Sequence, residues 1–250
     1  LDDPSAPAVL HVLSGGGPWR LTALVGDAQT RPAAVAIVGT RRASHDGLEL
    51  ARSLGRGLAA AGVTVVSGMA LGIDSAAHEG ALEGGGATVA VLAGGADVPY
   101  PRSKRALHAR IAQAGAVVGE MPPGTSVRRW AFPARNRIIA ALADATVVVE
   151  AAVRSGSLIT AEMAIDLGRD VGAVPGCPRS WRAAGGNALL RDGATLVRDA
   201  RDVLDLLLGV EAAEELLAAS AGRTAPLPAG LSAELGVRGR RDRGDPEPEP

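Results

Sequence analysis

Asp74 and His78 stand four residues apart in a run of small side chains, Ser67-Gly68-Met69-Ala70-Leu71-Gly72-Ile73-Asp74-Ser75-Ala76-Ala77-His78. On a helix that spacing puts a carboxylate and an imidazole on one face, enough for a carboxylate-oriented general base. Without chemistry, the same two residues read as an N-cap aspartate and a first-turn histidine. The rest of the chain adds no catalytic partner. G-x-S-x-G is absent, so Ser67 is not a nucleophile elbow. His11, His45, His78 and His108 are scattered, with no spacing suited to zinc. A lone Cys177 forms neither an internal disulfide nor a cysteine metal cage. No catalytic residue, metal or cofactor is expected, and the chain is read as a binding protein.

What the run offers is an anion site. A β-branched stretch, Val63 to Val66, ends in Ser67-Gly68, and a helix-forming stretch begins at about Asp74. A strand end followed by bare small residues and a helix N-terminus aims backbone N–H groups at one point, which favours phosphate. Glycine there also serves close packing. The loop is neither G-x-G-x-x-G nor a P-loop.

The elements that would hold such loops recur. Val35 to Val38 runs into Gly39-Thr40-Arg41-Arg42, and Thr88 to Leu92 into Ala93-Gly94-Gly95. Thr146 to Glu150 leads to Arg154-Ser155-Gly156-Ser157, and Val171 to Val174 to Pro175-Gly176. Each strand is a continuous apolar run, as expected when both faces are covered. Residues 47–61 and 157–167 have helical spacing. The pattern predicts an α/β fold with a doubly wound, mostly parallel sheet, Rossmann-like, whose ligands sit at the carboxyl ends of the strands.

Charge is unevenly placed. The chain has net charge −1, yet residues 101–137 carry eight basic residues (Arg102, Lys104, Arg105, Arg110, Arg128, Arg129, Arg135, Arg137) against Glu120 alone. That is an electrostatic footprint for a polyanion, or else a solvated arginine-rich face. Only five aromatic residues are present, so few side chains could stack on bases. No apolar run reaches membrane-spanning length and no signal pattern is seen, which points to a cytoplasmic protein with no membrane contact. The core is expected over 33–208. Residues 1–32 read as a tail or remnant, and 209–250 as a short helix near 211–219 followed by a disordered Pro/Gly- and Arg-rich tail. No helical domain fits before Ala33, and the tail has no winged-helix pattern.

The stretches VAIVGTRRAS (35–44), SGMALGIDSAAHEGAL (67–82), VAVLAGGADVPYP (89–101), FPARNRIIAAL (132–142), VVVEA (147–151), SGSLITAEMA (155–164) and AVPG (173–176) occur in order and at matching spacing. Together with GGN-ALLRDGATLV (185–197) they resemble the DNA-processing protein A family, DprA or Smf. The resemblance implies a single-stranded DNA-binding protein that protects incoming DNA, forms a homodimer and helps load the RecA recombinase in natural transformation. It implies a DNA groove lined by Arg41, Arg102, Arg135 and Arg137, with Ser67, Gly68, Lys104, Asn136, Ser155, Gly156, Ser157 and Thr160 completing the candidate site. Lys104 stands where the family commonly carries asparagine.

The residues carry their own readings beside that. Arg41 follows a strand end and projects over the ligand edge, or is a plain surface arginine. Arg135 and Arg137, two apart, cannot share a helix face; either one faces the groove or both precede the helix. Ser155, Ser157 and Thr160 flank a helix N-terminus and could bond phosphate or simply cap. Trp130 and Phe132 are expected in the core more than as base platforms. The enzyme-class rival is a nucleotide-binding or nucleotide-hydrolysing protein of the lysine-decarboxylase-like Rossmann group, for which only Thr160-Ala161-Glu162 after Gly156 speaks.

Overall fold

In β2 (Ala34–Val38), Val35 and Ile37 enter one apolar cluster while Ala34, Ala36 and Val38 enter another. Alternate residues of a strand face opposite sides, so a strand apolar at every position is one covered on both. Leu54 and Leu58 of helix α1 (His45–Ala60) and Leu204 of α7 (Ala200–Leu208) cover the first face. Ile138 and Ile139 of α4 (Ala131–Leu142), with Ala161 and Ala164 of α5 (Gly156–Asp166), cover the second. This three-layer architecture is seen in a computed structural model that describes residues 6–15 and 32–221.

The other strands are β1 (His11–Leu13), β3 (Thr64–Ser67), β4 (Thr88–Gly95), β5 (Ala116–Met121), β6 (Ala145–Val148), β7 (Asp170–Ala173) and β8 (Thr195–Leu196). Helices α2 (Ile73–Glu83), α3 (Arg105–Ala114), α6 (Ala184–Arg191) and α8 (Val210–Ala221) complete the order, with a 3-10 turn at Arg102–Lys104. The sheet order is β1-β5-β4-β3-β2-β6-β7-β8, and every pair is parallel except β1 with β5. The chain therefore builds outward from β2 to β5, returns to lay β6 against β2, and proceeds the other way. Loops leaving β2 and β6 diverge to opposite faces and open a crevice at their carboxyl ends, the switch point of a doubly wound sheet.

Two glycines let α1 and α2 pack closely. A Cβ at Gly55 would overlap the Ala77 carbonyl, and one at Gly80 the Arg52 carbonyl. Ser44 starts α1 by accepting from the Gly47 N–H at 3.0 Å, a conventional N-cap.

The structure departs from the sequence reading in several places. Residues 11–13, read as part of a tail, pair antiparallel with β5 as an edge strand, His11 opposite Gly119. Three residues are too few to show a period. Residues 116–121 form β5, which passed unnoticed inside the basic segment. Ala93-Gly94-Gly95, read as a loop, continue β4 across an irregularity in its register with β5. The tail beyond residue 221 and the Gly15–Gly17 region past residue 15 lie outside the described residues. Among the described residues, no helix is long and apolar enough to cross a membrane.

Candidate nucleic-acid interface

The crevice predicted by the strand order is present as a cleft of about 450 Å³. One wall is the turn after β2, Gly39 to Arg42, and the other is the start of α5, Ser155 to Thr160. Phe132, Pro133, Arg135, Asn136 and Ile139 of α4 form its floor and one rim, and Trp181 stands at another edge. Of the residues singled out from sequence, the cleft brings together Arg41, Asp74, Phe132, Arg135, Asn136, Ser155, Gly156, Ser157 and Thr160.

The small-residue loop after β3 does a different job from the one its composition suggested. Several of its donors are already used. Ile73 N–H donates to Thr40 O at 3.3 Å and Ser75 N–H to Ala70 O at 3.2 Å, while Ala70 N–H donates to the Asp74 carboxylate at 3.4 Å. Ser67 is fully buried, its hydroxyl donating to Ile37 O at 2.6 Å. Gly68 O accepts from the Arg135 guanidinium at 2.8 Å, and the Gly68 N–H is turned to the Asp74 carboxylate. Gly72, at φ 83°, abuts Thr40 and Arg41, a fit only glycine makes without strain. Met69 holds φ 54° with its side chain wholly buried, so packing maintains a backbone state that costs an L-residue about 1 kcal/mol or more. The loop is a brace behind the cleft that sets the β2 turn in place.

Arg135 is central to that brace. It is 7 % exposed and its guanidinium donates to Gly68 O and also to Val91 O. Burial lowers its pKa to about 10, with Asp74 opposing the shift and Arg41 adding to it, so it stays charged at neutral pH. Asp74 is likewise buried; desolvation raises its carboxyl above the usual range, against the pull of Arg135 and of backbone N–H groups. Both Arg135 and Arg137 lie inside α4, and only Arg135 lines the cleft, so of the two alternatives it is the one with a single arginine toward the groove that the structure shows. Arg135 turns inward, whereas Arg137 donates to Glu120 at 2.7 Å and to Ala134 O at 3.0 Å. Arg137 does not line the cleft.

Two helix N-termini meet the switch point, and they differ. At α1 the position a phosphate would take is filled by Glu150, whose carboxylate accepts from Ser44 N–H at 2.9 Å and the Ser44 hydroxyl at 2.6 Å. A Cβ on Gly47 would strike that carboxylate. At α5 a Cβ on Gly156 would meet nothing within 4 Å, so no distant residue crowds the first turn there. Ser155 caps that helix and shares a 2.7 Å hydrogen bond with the Ser157 hydroxyl. Asn136 donates to Gly156 O at 3.0 Å and ties α4 to this terminus. Positive potential and hydroxyls thus face the cleft at α5.

The rim carries aromatic rings beside arginines. The Arg41 guanidinium lies 4.7 Å from the Phe132 ring centroid, and Tyr100 packs against Phe132 at 5.5 Å. Across the cleft Arg182 covers Trp181 at 4.6 Å. Tyr100 is 41 %, Trp130 59 % and Trp181 54 % exposed, so Trp130 is not a core residue. Sequence reasoning missed Arg42, Trp181 and Arg182; the Trp181-Arg182 dipeptide was the available signal, masked by a Pro/Gly-rich context. Arg102 is exposed on the 3-10 turn that follows Tyr100-Pro101, outside the cleft. Lys104 pairs with Glu79 at 2.9 Å and lines a neighbouring hollow of about 330 Å³ that also touches Arg41 and Arg42.

Asp74 and His78 do not form a base. The N-cap of α2 is Gly72 and not Asp74. His78 is wholly buried, its Nδ1 bonded to the Thr88 hydroxyl at 2.7 Å, and that hydroxyl donates to Val65 O at 2.8 Å. Among the described residues, no group of three or more His, Cys, Asp or Glu is placed to hold a metal.

The fold and cleft define a Rossmann-like α/β protein with a basic, aromatic-rimmed cleft at the switch point of its sheet. The chain belongs to the DNA recombination-mediator protein A family, whose model matches residues 3–208. It is 50 % identical over 202 residues to the putative DNA processing protein DprA of Mycobacterium tuberculosis, covering 81 % of this chain and 50 % of that one. The chain therefore spans about half the length of that curated relative. The structure of DprA from Streptococcus pneumoniae superimposes with a TM-score of 0.73 at 40 % identity, covering 81 % of this chain and 67 % of that one. A Helicobacter pylori DNA processing protein A structure, described for its single-stranded DNA binding mode, gives a TM-score of 0.71 at 30 % identity over 83 % of this chain and 89 % of that one.

Proposed function

We propose that this protein binds single-stranded DNA in the switch-point cleft, with phosphates at Arg41, Arg42 and the start of α5 and bases against the aromatic rim. The observation that carries the reading is the pairing of an uncovered helix N-terminus with arginines stacked on aromatic rings in one cleft. Phosphate contacts plus stacking surfaces suit a strand whose bases are free. Arg102 and Lys104 extend the path past Tyr100. In this reading Ser67, Gly68 and Arg135 support the site and do not touch DNA. The protein acts in the cytoplasm as a homodimer, shields incoming DNA and helps place RecA on it; the match to a recombination-mediator family supports that role.

Labelled oligo-dT of about 30 nucleotides should bind more tightly than a duplex of equal length, with a log-log salt slope of about −2 to −3 for three or four neutralised phosphates. Undetectable binding at low salt would overturn the reading. Arg41→Ala should weaken binding by about 1–3 kcal/mol and make the slope shallower by about 0.7, with the melting temperature little changed.

The rival is a nucleotide-hydrolysing protein. Glu162, the acid it would need, is exposed on α5 and absent from the cleft lining. Incubation with AMP and magnesium should leave AMP intact. Adenine release that Glu162→Gln abolishes would transfer the protein to that class.

A further inference from the structure

We propose that Trp181 is a base-stacking platform, a second subsite of the cleft that takes an unpaired nucleobase next to the phosphate held at the start of α5. The inference rests on the single-strand reading of the cleft and adds a residue that neither the charge pattern nor the family motifs indicated.

A tryptophan 54 % exposed has left much of a large apolar ring in water, and in a cleft that surface is open to a ligand. Trp181 lines the same cleft as Phe132 and Ser155 to Thr160, so its ring borders the space assigned to the strand. It is also held in position. The Arg182 guanidinium lies over the ring at 4.6 Å, and the Arg182 Nε–H donates to Arg42 O at 2.9 Å, tying the tryptophan loop to the β2 turn. Asn187 closes the base of the loop by donating to Gly176 O at 3.0 Å and accepting from Gly176 N–H at 3.1 Å. Ser180 N–H to Cys177 O at 2.8 Å and Ala183 N–H to Ser180 O at 3.1 Å fix the turns between.

A platform ordered before the ligand arrives loses little entropy on binding. With a cation near the ring, a base added to the tryptophan also gains the electrostatic attraction of Arg182 for the neighbouring phosphate. Stacking on a tryptophan face is tolerant of sequence, because every base has a π-face. The subsite therefore strengthens binding to single strands without selecting a motif, and a duplex, whose bases are already stacked, gains nothing from it.

The test compares wild type, Trp181→Ala and Trp181→Phe on oligo-dT and on an oligonucleotide of the same length whose central residues are abasic. Trp181→Ala should lower oligo-dT affinity about tenfold, the stacking contribution of one base. Its salt slope should stay at the wild-type value, because no phosphate contact is lost. Trp181→Phe should retain most of the affinity, and the abasic probe should bind wild type and Trp181→Ala alike. Tryptophan fluorescence quenched by oligo-dT in wild type should lose its largest component in Trp181→Phe.

Equal oligo-dT affinity for wild type and Trp181→Ala would overturn the subsite while leaving the single-strand reading intact. A slope that falls in Trp181→Ala as it does in Arg41→Ala would assign the effect to a displaced phosphate contact, which also overturns it. Absence of oligo-dT binding by wild type would remove both readings together.

Discussion

Arg135→Met is expected to lower the free energy of unfolding by about 2–5 kcal/mol, chiefly the cost of leaving two buried carbonyls without their donor. The substitution leaves Gly68 O and Val91 O without their donor. It also leaves the Asp74 carboxyl buried without the positive charge that opposes its desolvation. An unmade hydrogen bond to a buried group costs about 1–3 kcal/mol, so the carbonyls alone account for much of the loss. Chemical denaturation at neutral pH measures the effect. Adding Asp74→Asn to Arg135→Met should recover part of it, because the buried carboxyl that faced the guanidinium is gone while the carbonyls are still unpaired. A loss below about 1 kcal/mol would mean that the guanidinium is not the brace described above. Oligo-dT binding by any folded Arg135→Met should weaken, since the β2 turn that presents Arg41 rests on the loop Arg135 holds.

Acidification should destabilise the protein through His78 by about 2 kcal/mol between pH 6.5 and 5, and by about 4 kcal/mol if carried down to pH 3. Burial lowers the imidazole from 6.5 to about 3, with Arg135 adding to the shift. Between those two values the unfolded chain binds a proton at this site that the folded chain refuses. Stability therefore rises with pH across that window and is complete above 6.5. Asp74 works in the opposite direction. Its folded pKa is raised, so its burial penalty is complete only above that pKa and is relieved as pH falls from it toward the usual carboxylate range. The two are separated by comparing wild type with His78→Asn, which should lose the acid dependence due to His78 and keep that of Asp74. Ring-proton titration by NMR gives an independent reading. A His78 resonance titrating near 6.5 would contradict the burial that underlies the prediction.

The helical and strand periods were legible because they depend on neighbours along the chain. Val35 to Val38, Thr88 to Leu92 and Val171 to Val174 each carry an apolar run that only a doubly covered strand needs, and the order of such runs implies a parallel sheet. β1 and β5 were not legible for the same reason. Three residues at His11–Leu13 have no period, and Ala116–Met121 ends in Gly119-Glu120 within a stretch where charge drew attention. Their pairing is settled by a partner about a hundred residues away.

The sequence by itself determined the family, the α/β class, and the set of loops that face the carboxyl edge of the sheet. Motif spacing and apolar periodicity are properties of the chain, and they survive without coordinates. Only the tertiary structure decided which of the singled-out residues reach the cleft. Arg41, an exposed arginine at a strand end, and Arg135, a buried one in a helix, look alike as letters in the sequence. One is left over Phe132 at the rim, while the other is drawn inward by two carbonyls and a carboxylate contributed from distant segments. In the same way Glu150 fills one helix N-terminus and leaves the other uncovered, although both follow strands of the same kind. Which donors stay free for a phosphate depends on which are already satisfied across the fold, and hydrogen-bond satisfaction is a property of three-dimensional packing, not of sequence spacing.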